Sequence, residues 1–488
     1  MFFKNIDWLL IAELTYLGIL IIVCLRIIYD TRTSTKTLAY LLFAVFVPVI
    51  GMISYFFLGI NYRKRNLYSK KLLADDTLQQ KMEAEIQKST EEILAANPPE
   101  IKKNRELACL LLKDNMSPLT DSNRVKLLFN GEEKFPEVLE ALKQAKNHIH
   151  IEYYIFEDDE IGNQIKEILI QKAAEGVEVR LIYDDFGSSS IRRKFVPGLI
   201  ENGVEAYPFY RVLFLLFANR LNYRNHRKII IVDGHTAFVG GINISDRYIN
   251  NGNKKNRIYW RDTHLRIDGA GCQYLQYLFL CDWNFCSDQQ LQPTKMFFPK
   301  PKTYETDTLV QIAAGGPDSK TPGILFSLLQ AINLAKKEIL ITTPYFIPGD
   351  SLLDALIVAA LSGVSVKLLV PGISDSRFVN AAAHSYYDDL LDAGVEIYFY
   401  KKGFIHAKTL VYDGAVAAVG TANMDYRSFE LNFEVNAFIY DPHIAKQLTK
   451  AFYDDLEHAE RIDIVRWEKR AFLKVMFEKT ARMLSPLL

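Results

Sequence analysis

His226-Arg-Lys228-Ile-Ile-Ile-Val-Asp233, followed by Gly240-Gly241-Ile-Asn243, returns 180 residues later as His406-Ala-Lys408-Thr-Leu-Val-Tyr-Asp413, followed by Gly420-Thr-Ala-Asn423. In both copies Asp lies seven residues after His, and Asn seventeen after it. One His-x-Lys is noise, but two in a shared frame with Asp and Asn mark an internal duplication. Working outward, Ala173-Ala-Glu-Gly176-Val-Glu-Val-Arg-Leu181 matches Ala360-Leu-Ser-Gly363-Val-Ser-Val-Lys-Leu368, and Gly203-Val-Glu205 matches Gly394-Val-Glu396. Within each copy β-rich runs (148–156 and 177–183; 338–346 and 364–370) alternate with helical ones (164–174; 352–360). That alternation predicts an α/β fold of two pseudo-symmetric sandwich halves that form one active site.

The candidate catalytic set is His226, Lys228, Asp233, His406, Lys408 and Asp413. Residues two apart on a strand share a face, so each His and its Lys point the same way. Asp233 and Asp413 fall on the opposite parity and open Asp-Gly pairs, which assigns them mainly to turns and ion-pair support. A neutral imidazole can attack phosphorus while a second, protonated one gives its proton to the departing alcohol, so this chemistry needs two histidines. Lys228, Lys408, Asn243 and Asn423 would surround the non-bridging oxygens and stabilise the transition state without a metal. Asp262, in Trp260-Arg-Asp-Thr-His264, and Glu434, in Asn432-Phe-Glu-Val-Asn436, each follow a cassette. In chain order Asp262 would orient His226 and Glu434 would orient His406; the alternative for Asp262 is an ion pair with Arg261. Arg247 and Arg427 keep the 180-residue register, either to contact a second phosphate or to pair with nearby acids. The remaining histidines have no HxxxH spacing and no companion cysteines, so neither a metal site nor a cofactor is expected.

Lys plus Arg equals Asp plus Glu at 58 each, so no global positive field draws nucleic acid. Five cysteines without a CxxC pair exclude a disulfide scaffold or zinc module. The first sixty residues differ in kind. Two apolar stretches, about 8–29 and 38–60, are each long enough to span a hydrocarbon core, predicting a two-helix membrane anchor over 1–65. A cleaved signal peptide is disfavoured by Asp7, Glu13 and the second stretch. Lys4, Arg63, Lys64, Arg65, Lys70 and Lys71 flank the outer ends of the pair, against Arg26, Arg32 and Lys36 around the connecting loop. That bias places both termini, and the large domain, in the cytoplasm. A juxtamembrane connector is expected over 66–123, the first half over 124–300, and the second over 301–488 with a helical tail. From Arg466 that tail carries Trp467, Phe472 and six basic residues against two acidic ones, which suggests contact with anionic lipid. Gly203 and Gly394 are 191 apart but the histidines only 180, so eleven extra residues precede His226. They fall in the apolar stretch 208–220, either a core helix or a lip that touches the bilayer.

The duplicated His-x-Lys-x4-Asp cassette resembles the hallmark of the phospholipase D superfamily. Within it the chain is similar to bacterial cardiolipin synthases, in Pro48-Val-Ile-Gly51, Tyr55-Phe-Phe-Leu-Gly-Ile-Asn-Tyr-Arg63, Ile149-His-Ile-Glu-Tyr-Tyr154, Trp260-Arg-Asp-Thr-His264, Thr343-Pro-Tyr-Phe-Ile-Pro348 and Ser485-Pro-Leu-Leu488. The resemblance implies a multi-pass protein of the bacterial cell membrane that joins two phosphatidylglycerol molecules into cardiolipin and glycerol. It implies His226 as nucleophile and His406 as acid and base, an assignment that sequence symmetry alone leaves open. The alternatives are a phospholipase D hydrolase or another phosphatidyltransferase. A nuclease is disfavoured by charge and by the apolar stretches, and a dead scaffold by two intact cassettes. Oligomeric state is left open.

Overall fold

Each repeat lays down its strands in the same order. The first contributes β1 (Thr120–Phe129), β2 (His148–Tyr153), β3 (Glu178–Tyr183), β4 (Glu205–Pro208), β5 (Lys228–Val232), β6 (Thr236–Gly240), β7 (Tyr259–Arg261) and β8 (Thr263–Asp268). The second contributes β9 (Thr308–Gly315), β10 (Glu338–Thr342), β11 (Phe346–Ile347), β12 (Ser365–Pro371), β13 (Glu396–Tyr400), β14 (Gly403–Ile405), β15 (Thr409–Tyr412), β16 (Val416–Gly420), β17 (Met424–Asp425), β18 (Glu434–Tyr440) and β19 (Ala459–Arg461). These come from a computed structural model, which describes residues 8–31, 34–47, 49–55, 76–210, 223–250, 258–287, 289–302, 304, 306, 308–374, 376–483 and 485.

From its edge inward, the first repeat reads β4-β3-β2-β5-β6-β8-β1, and the second reads β13-β12-β10-β15-β16-β18-β9, equivalent strand for strand. β1 and β9 pair antiparallel at the centre (Thr120 with Val310, Asn123 with Thr308), giving one 15-stranded mixed sheet with β19 added beyond β13. The parallel strands β2, β3 and β4 are joined through helices Glu160–Ala174 and Phe195–Glu201. Their counterparts β10, β12 and β13 use Asp350–Leu361, Arg377–His384 and Tyr387–Asp392. The glycines that recur in the sequence end these helices: Gly176, Gly203, Gly363 and Gly394 all have φ of 86 to 91°. A side chain there would be strained, which is why the same residue stands at both pairs of positions.

Alternating residues of each strand serve two cores. Ile230, Val232 and Phe238 face the helices of the first repeat, while Leu410, Val416 and Ala418 face those of the second. Ile229, Ile231 and Val239 pack with Val411, Val419 and Val435 in a third core made by both repeats. The architecture is therefore helices, sheet, helices, sheet, helices, with Cys272–Cys286 and Pro442–Leu456 filling the middle layer where the two repeats meet. Helices Asp76–Ala96, Pro99–Lys102 and Arg105–Asn115, within the expected connector, bury Leu94, Ile101, Leu107 and Leu111 in the core of the second repeat.

The N-terminal segment departs from expectation. Helix Trp8–Asp30 is the one described helix long and apolar enough to cross a membrane. The second stretch does not run as one span. It forms Ser34–Phe46, breaks, and resumes as Ile50–Ser54, with Val49 at φ 65°. Thirteen helical residues rise only about 20 Å, short of a hydrocarbon core of about 30 Å. Pro48 is the physical reason: it lacks an amide hydrogen and disfavours helical backbone before it. Gly51 lies where a Cβ would come 2.1 Å from the Phe43 carbonyl oxygen, so the chain packs back on itself. Positions 56–75, where the stretch was expected to end, lie outside the described residues. So does most of the 208–220 insertion, since 211–222 are not described.

Candidate active site

Both cassettes sit where the repeats meet. β14 pairs parallel with β7, and the His406 amide donates to the Arg261 carbonyl at 2.7 Å. Reciprocally, the His226 amide donates to the Phe433 carbonyl at 3.0 Å, and Phe433 donates to Arg224 at 2.9 Å. Each histidine is thus stitched by backbone to the residue just before the other repeat's acid. The side chains follow: His226 Nδ1 lies 2.8 Å from Glu434 Oε1, and His406 Nδ1 lies 2.7 Å from Asp262 Oδ2. This reverses the pairing expected from chain order. Asp262 serves His406 and Glu434 serves His226, because the backbone pairing joins each cassette to the opposite repeat.

The two carboxylates are held differently. Asp262 accepts from the Thr263 amide at 2.7 Å, and a Cβ at Gly241 would come 2.1 Å from its Oδ1, so only glycine leaves room there. Thr421 replaces that glycine in the second repeat and donates its hydroxyl to Glu434, which also accepts from Asn432 Nδ2 at 3.3 Å. Burial alone would raise the Glu434 carboxyl, but His226, Lys228 and Thr421 hold it below its usual value. Burial depresses His226 to about 4 and His406 to about 3, the Lys408 ammonium adding to the second. Both rings are therefore neutral, each donating Nδ1–H to its carboxylate.

The lysines make one field across the seam. Lys228 Nζ donates to the His226 carbonyl at 2.7 Å, and Lys408 Nζ to the His406 carbonyl at 2.6 Å. Lys408 Nζ also lies 3.0 Å from His406 Nε2. Burial lowers Lys228 to about 7, opposed by Glu434 and reinforced by Lys408. Lys408 also acts on His226, and Lys228 on His406, so each ring feels the charge of both cassettes.

Asp233 and Asp413, counted with the catalytic set, are not in the site. They lie beyond the far ends of β5 and β15, at φ 52° and 54°, each followed by a glycine of positive φ. Asp233 accepts from the amides of Lys146, Asn147 and His148, and Asp413 from those of Lys336, Lys337 and Glu338. They fasten each hairpin to the strand beside it, as their parity implied. Asn243 is also committed elsewhere: its amide donates to Tyr248 Oη at 2.7 Å and its Oδ1 accepts from the Ile155 amide at 3.3 Å. It shapes the wall instead of offering a free donor. Asn423 donates to Asp425 at 3.1 Å, while its buried Oδ1 has no partner among the described residues. Arg247 takes the ion-pair alternative, with Glu157.

Several residues escaped the sequence reading. The Tyr154 ring packs edge-on against His226 at 4.8 Å, and Trp260, Tyr248 and Phe404 surround His406 at 5.5, 6.0 and 6.0 Å. Behind His226, the fully buried Arg227 pairs with the fully buried Asp282, and Asn225 donates to Glu152. Burial raises Glu152 to about 7 despite Arg227. Ile405, Ala407 and Thr342 occupy the equivalent places in the second repeat, so the charged support exists behind one histidine only. Nothing in the spacing signalled Asp282, which comes from a remote helix. Among the described residues no group of acids, histidines and cysteines could hold a metal.

The family model described as "Cardiolipin synthase, PLD-like domain" matches residues 138–266 and again 328–456, one copy per repeat. A second model, "Phospholipase_D-nuclease N-terminal", matches 18–59. "Cardiolipin synthase 2" of Bacillus anthracis is 43% identical over 464 residues, covering 95% of this chain and 88% of that one. "Cardiolipin synthase" of Listeria innocua is 40% identical over 462 residues, covering 94% and 95%. Among solved structures, a phosphatidylserine synthase of Haemophilus influenzae superposes with a TM-score of 0.57 at 14% identity, over 78% of this chain and all of that one, a likeness of fold.

Proposed function

The chain belongs to the cardiolipin synthase family of phospholipase D-like proteins, and from that premise we propose that it transfers a phosphatidyl group between two phosphatidylglycerol molecules. The single observation that carries the mechanism is the crossed pair of buried histidine–carboxylate contacts at one seam. Nε2 of His226 attacks the phosphorus of the first lipid, the bond from phosphorus to the headgroup glycerol oxygen breaks, and Nε2–H of His406 protonates that oxygen as glycerol leaves. His406 then takes the proton from the terminal hydroxyl of a second phosphatidylglycerol. That oxygen attacks phosphorus, the P–N bond breaks, and cardiolipin departs with His226 restored.

An anionic phosphodiester entering this space counters the two ammonium groups and favours the protonated form of His406 that the first step needs. Lys228 and Lys408 stabilise the charge that grows on the non-bridging oxygens, with Asn423 at their margin. The choice of His226 as nucleophile is supported by the buried Arg227–Asp282 pair behind it, which fixes the backbone of the attacking ring. The aromatic wall around His406 supports a lipid hydroxyl over water as acceptor, since the base works in an apolar setting.

A membrane location is supported by helix Trp8–Asp30. One lysine, Lys4, precedes that helix, whereas Arg32, Lys36, Arg63, Lys64 and Arg65 follow it, which favours a cytoplasmic catalytic body in a bacterial membrane.

The test is reconstitution with phosphatidylglycerol alone in the presence of a chelator, with products separated by mass. Cardiolipin and glycerol in equal amounts are expected. Phosphatidic acid as the main product would replace the synthase with a hydrolase, and loss of activity on chelation would remove the metal-free mechanism.

A further inference from the structure

The C-terminal helix Phe472–Met483 is mounted the wrong way round for a soluble surface. Helices on globular proteins turn an apolar stripe inward and polar residues outward. Here the inward side carries buried charge beside the one small apolar residue Ala481. Glu478, 2% exposed, accepts from Arg470 at 2.8 Å and faces His384 at 3.3 Å, while Arg482 reaches Ser385 and Asp389 at 3.3 and 3.2 Å. Trp467, just upstream, donates to Asp388 at 2.7 Å and stacks under Arg470 at 3.7 Å. These contacts clamp the helix to the catalytic body by its polar side.

The outward side is greasy. Phe472 is 74% exposed, Leu473 79%, Met476 46%, Phe477 52% and Met483 79%. At about 100° per residue these five fall within one arc of about 140°. Lys474 lies beyond one border of the arc and Lys479 beyond the other, both exposed. Neither they nor Lys469 have an ion-pair partner among the described residues. Exposed apolar side chains scattered singly need no explanation, whereas a contiguous patch rimmed by charge marks an interaction surface.

We propose that this helix lies in the headgroup region of an anionic bilayer, its aromatic and aliphatic arc among the acyl chains and its bordering lysines on lipid phosphates. A second copy of the chain fits poorly, because pairing two such helices across a two-fold axis would set lysine borders beside lysine borders. The bilayer offers the opposite charge around an apolar interior, the pattern the helix presents. The polar clamp would then hold the catalytic body at a fixed attitude to the leaflet. This inference does not rest on the histidine chemistry, and its test reads no turnover.

The experiment uses the full chain in vesicles of phosphatidylglycerol and phosphatidylethanolamine. A photo-crosslinking phenylalanine analogue replaces Leu473 or Met476, and in a control replaces Glu140, exposed on helix Asn130–Lys143. After irradiation, phospholipid adducts are expected at 473 and 476 in at least about fivefold excess over 140. In vesicles of phosphatidylcholine alone the yield at 473 is expected to fall at least about twofold. Lipid adducts no commoner at 473 and 476 than at 140, or adducts joining two protein chains at 473, would overturn the proposal. A yield indifferent to lipid charge would overturn the role given to the lysines.

Discussion

The crossed pairing makes a prediction that chain order would reverse. In Glu434→Gln the side chain still accepts a hydrogen bond from His226 Nδ1–H but loses the charge that would stabilise the imidazolium the proposed reaction forms. Two unit charges about 4 Å apart in an effective dielectric of about 20 interact by about 4 kcal/mol, an upper bound here because the neutral hydrogen bond survives. A loss of about 2 to 4 kcal/mol corresponds to a fall of about 30- to 1000-fold in rate. Asp262→Asn is expected to lose a similar amount through His406. The two are told apart by the leaving group. A phosphatidyl ester of nitrophenol departs without a proton, so damage to the general acid is relieved and damage to the nucleophile persists. With rapid-quench measurement of labelled enzyme, His406→Asn and Asp262→Asn should recover on this substrate, while His226→Asn and Glu434→Gln stay slow. The pairing is tested apart from the roles by asking which acid variant behaves like which histidine variant. If Glu434→Gln tracks His406→Asn, and Asp262→Asn tracks His226→Asn, the crossed geometry is refuted.

Breaking the fully buried Arg227–Asp282 pair by Asp282→Asn is expected to destabilise the protein by about 3 to 5 kcal/mol, read as a lower thermal midpoint. The double change Arg227→Met with Asp282→Leu should recover most of it, and a single variant within about 1 kcal/mol of the parent would show that the pair is not structural. Lys228, lowered to about 7, is charged below that pH and neutral above it. Competitive inhibition by sulfate should therefore weaken as pH rises from 6 to 8 in the parent and change little in Lys228→Met; a flat profile in the parent would contradict a lysine titrating there. Acid should also destabilise the fold. His226 and His406 keep folded values near 4 and 3 against about 6.5 unfolded, so below 6.5 the unfolded state takes up protons first. Each contributes a loss of about 2 kcal/mol by pH 5. A thermal midpoint that does not fall between pH 7 and pH 5 would mean these rings are not buried and neutral.

The outcome at the carboxylates explains where reading stopped. Asp262 and Glu434 were legible as acids placed after each cassette, yet their partners were assigned by proximity along the chain. The assignment failed because β7 runs beside β14, and Phe433 beside Asn225, so the nearest imidazole in space belongs to the other repeat. Asp233 and Asp413 went the other way. Their parity and the glycine after each pointed to turns, and left-handed backbone with amides converging on each carboxylate is what stands there. The second apolar stretch passed a composition test that ignores Pro48, and composition does not register a missing amide hydrogen.

What the sequence determined by itself is whatever local periodicity and repetition encode: two α/β copies, the strand that follows each histidine, and the hairpin aspartates. Tertiary structure alone decided the partner of each histidine, the buried charges behind only one of them, and the polar face by which the last helix is clamped. The physical reason is that hydrogen bonds and ion pairs depend on distances of about 3 Å in space, and a duplicated fold closes those distances between side chains 208 residues apart, as at His226 and Glu434.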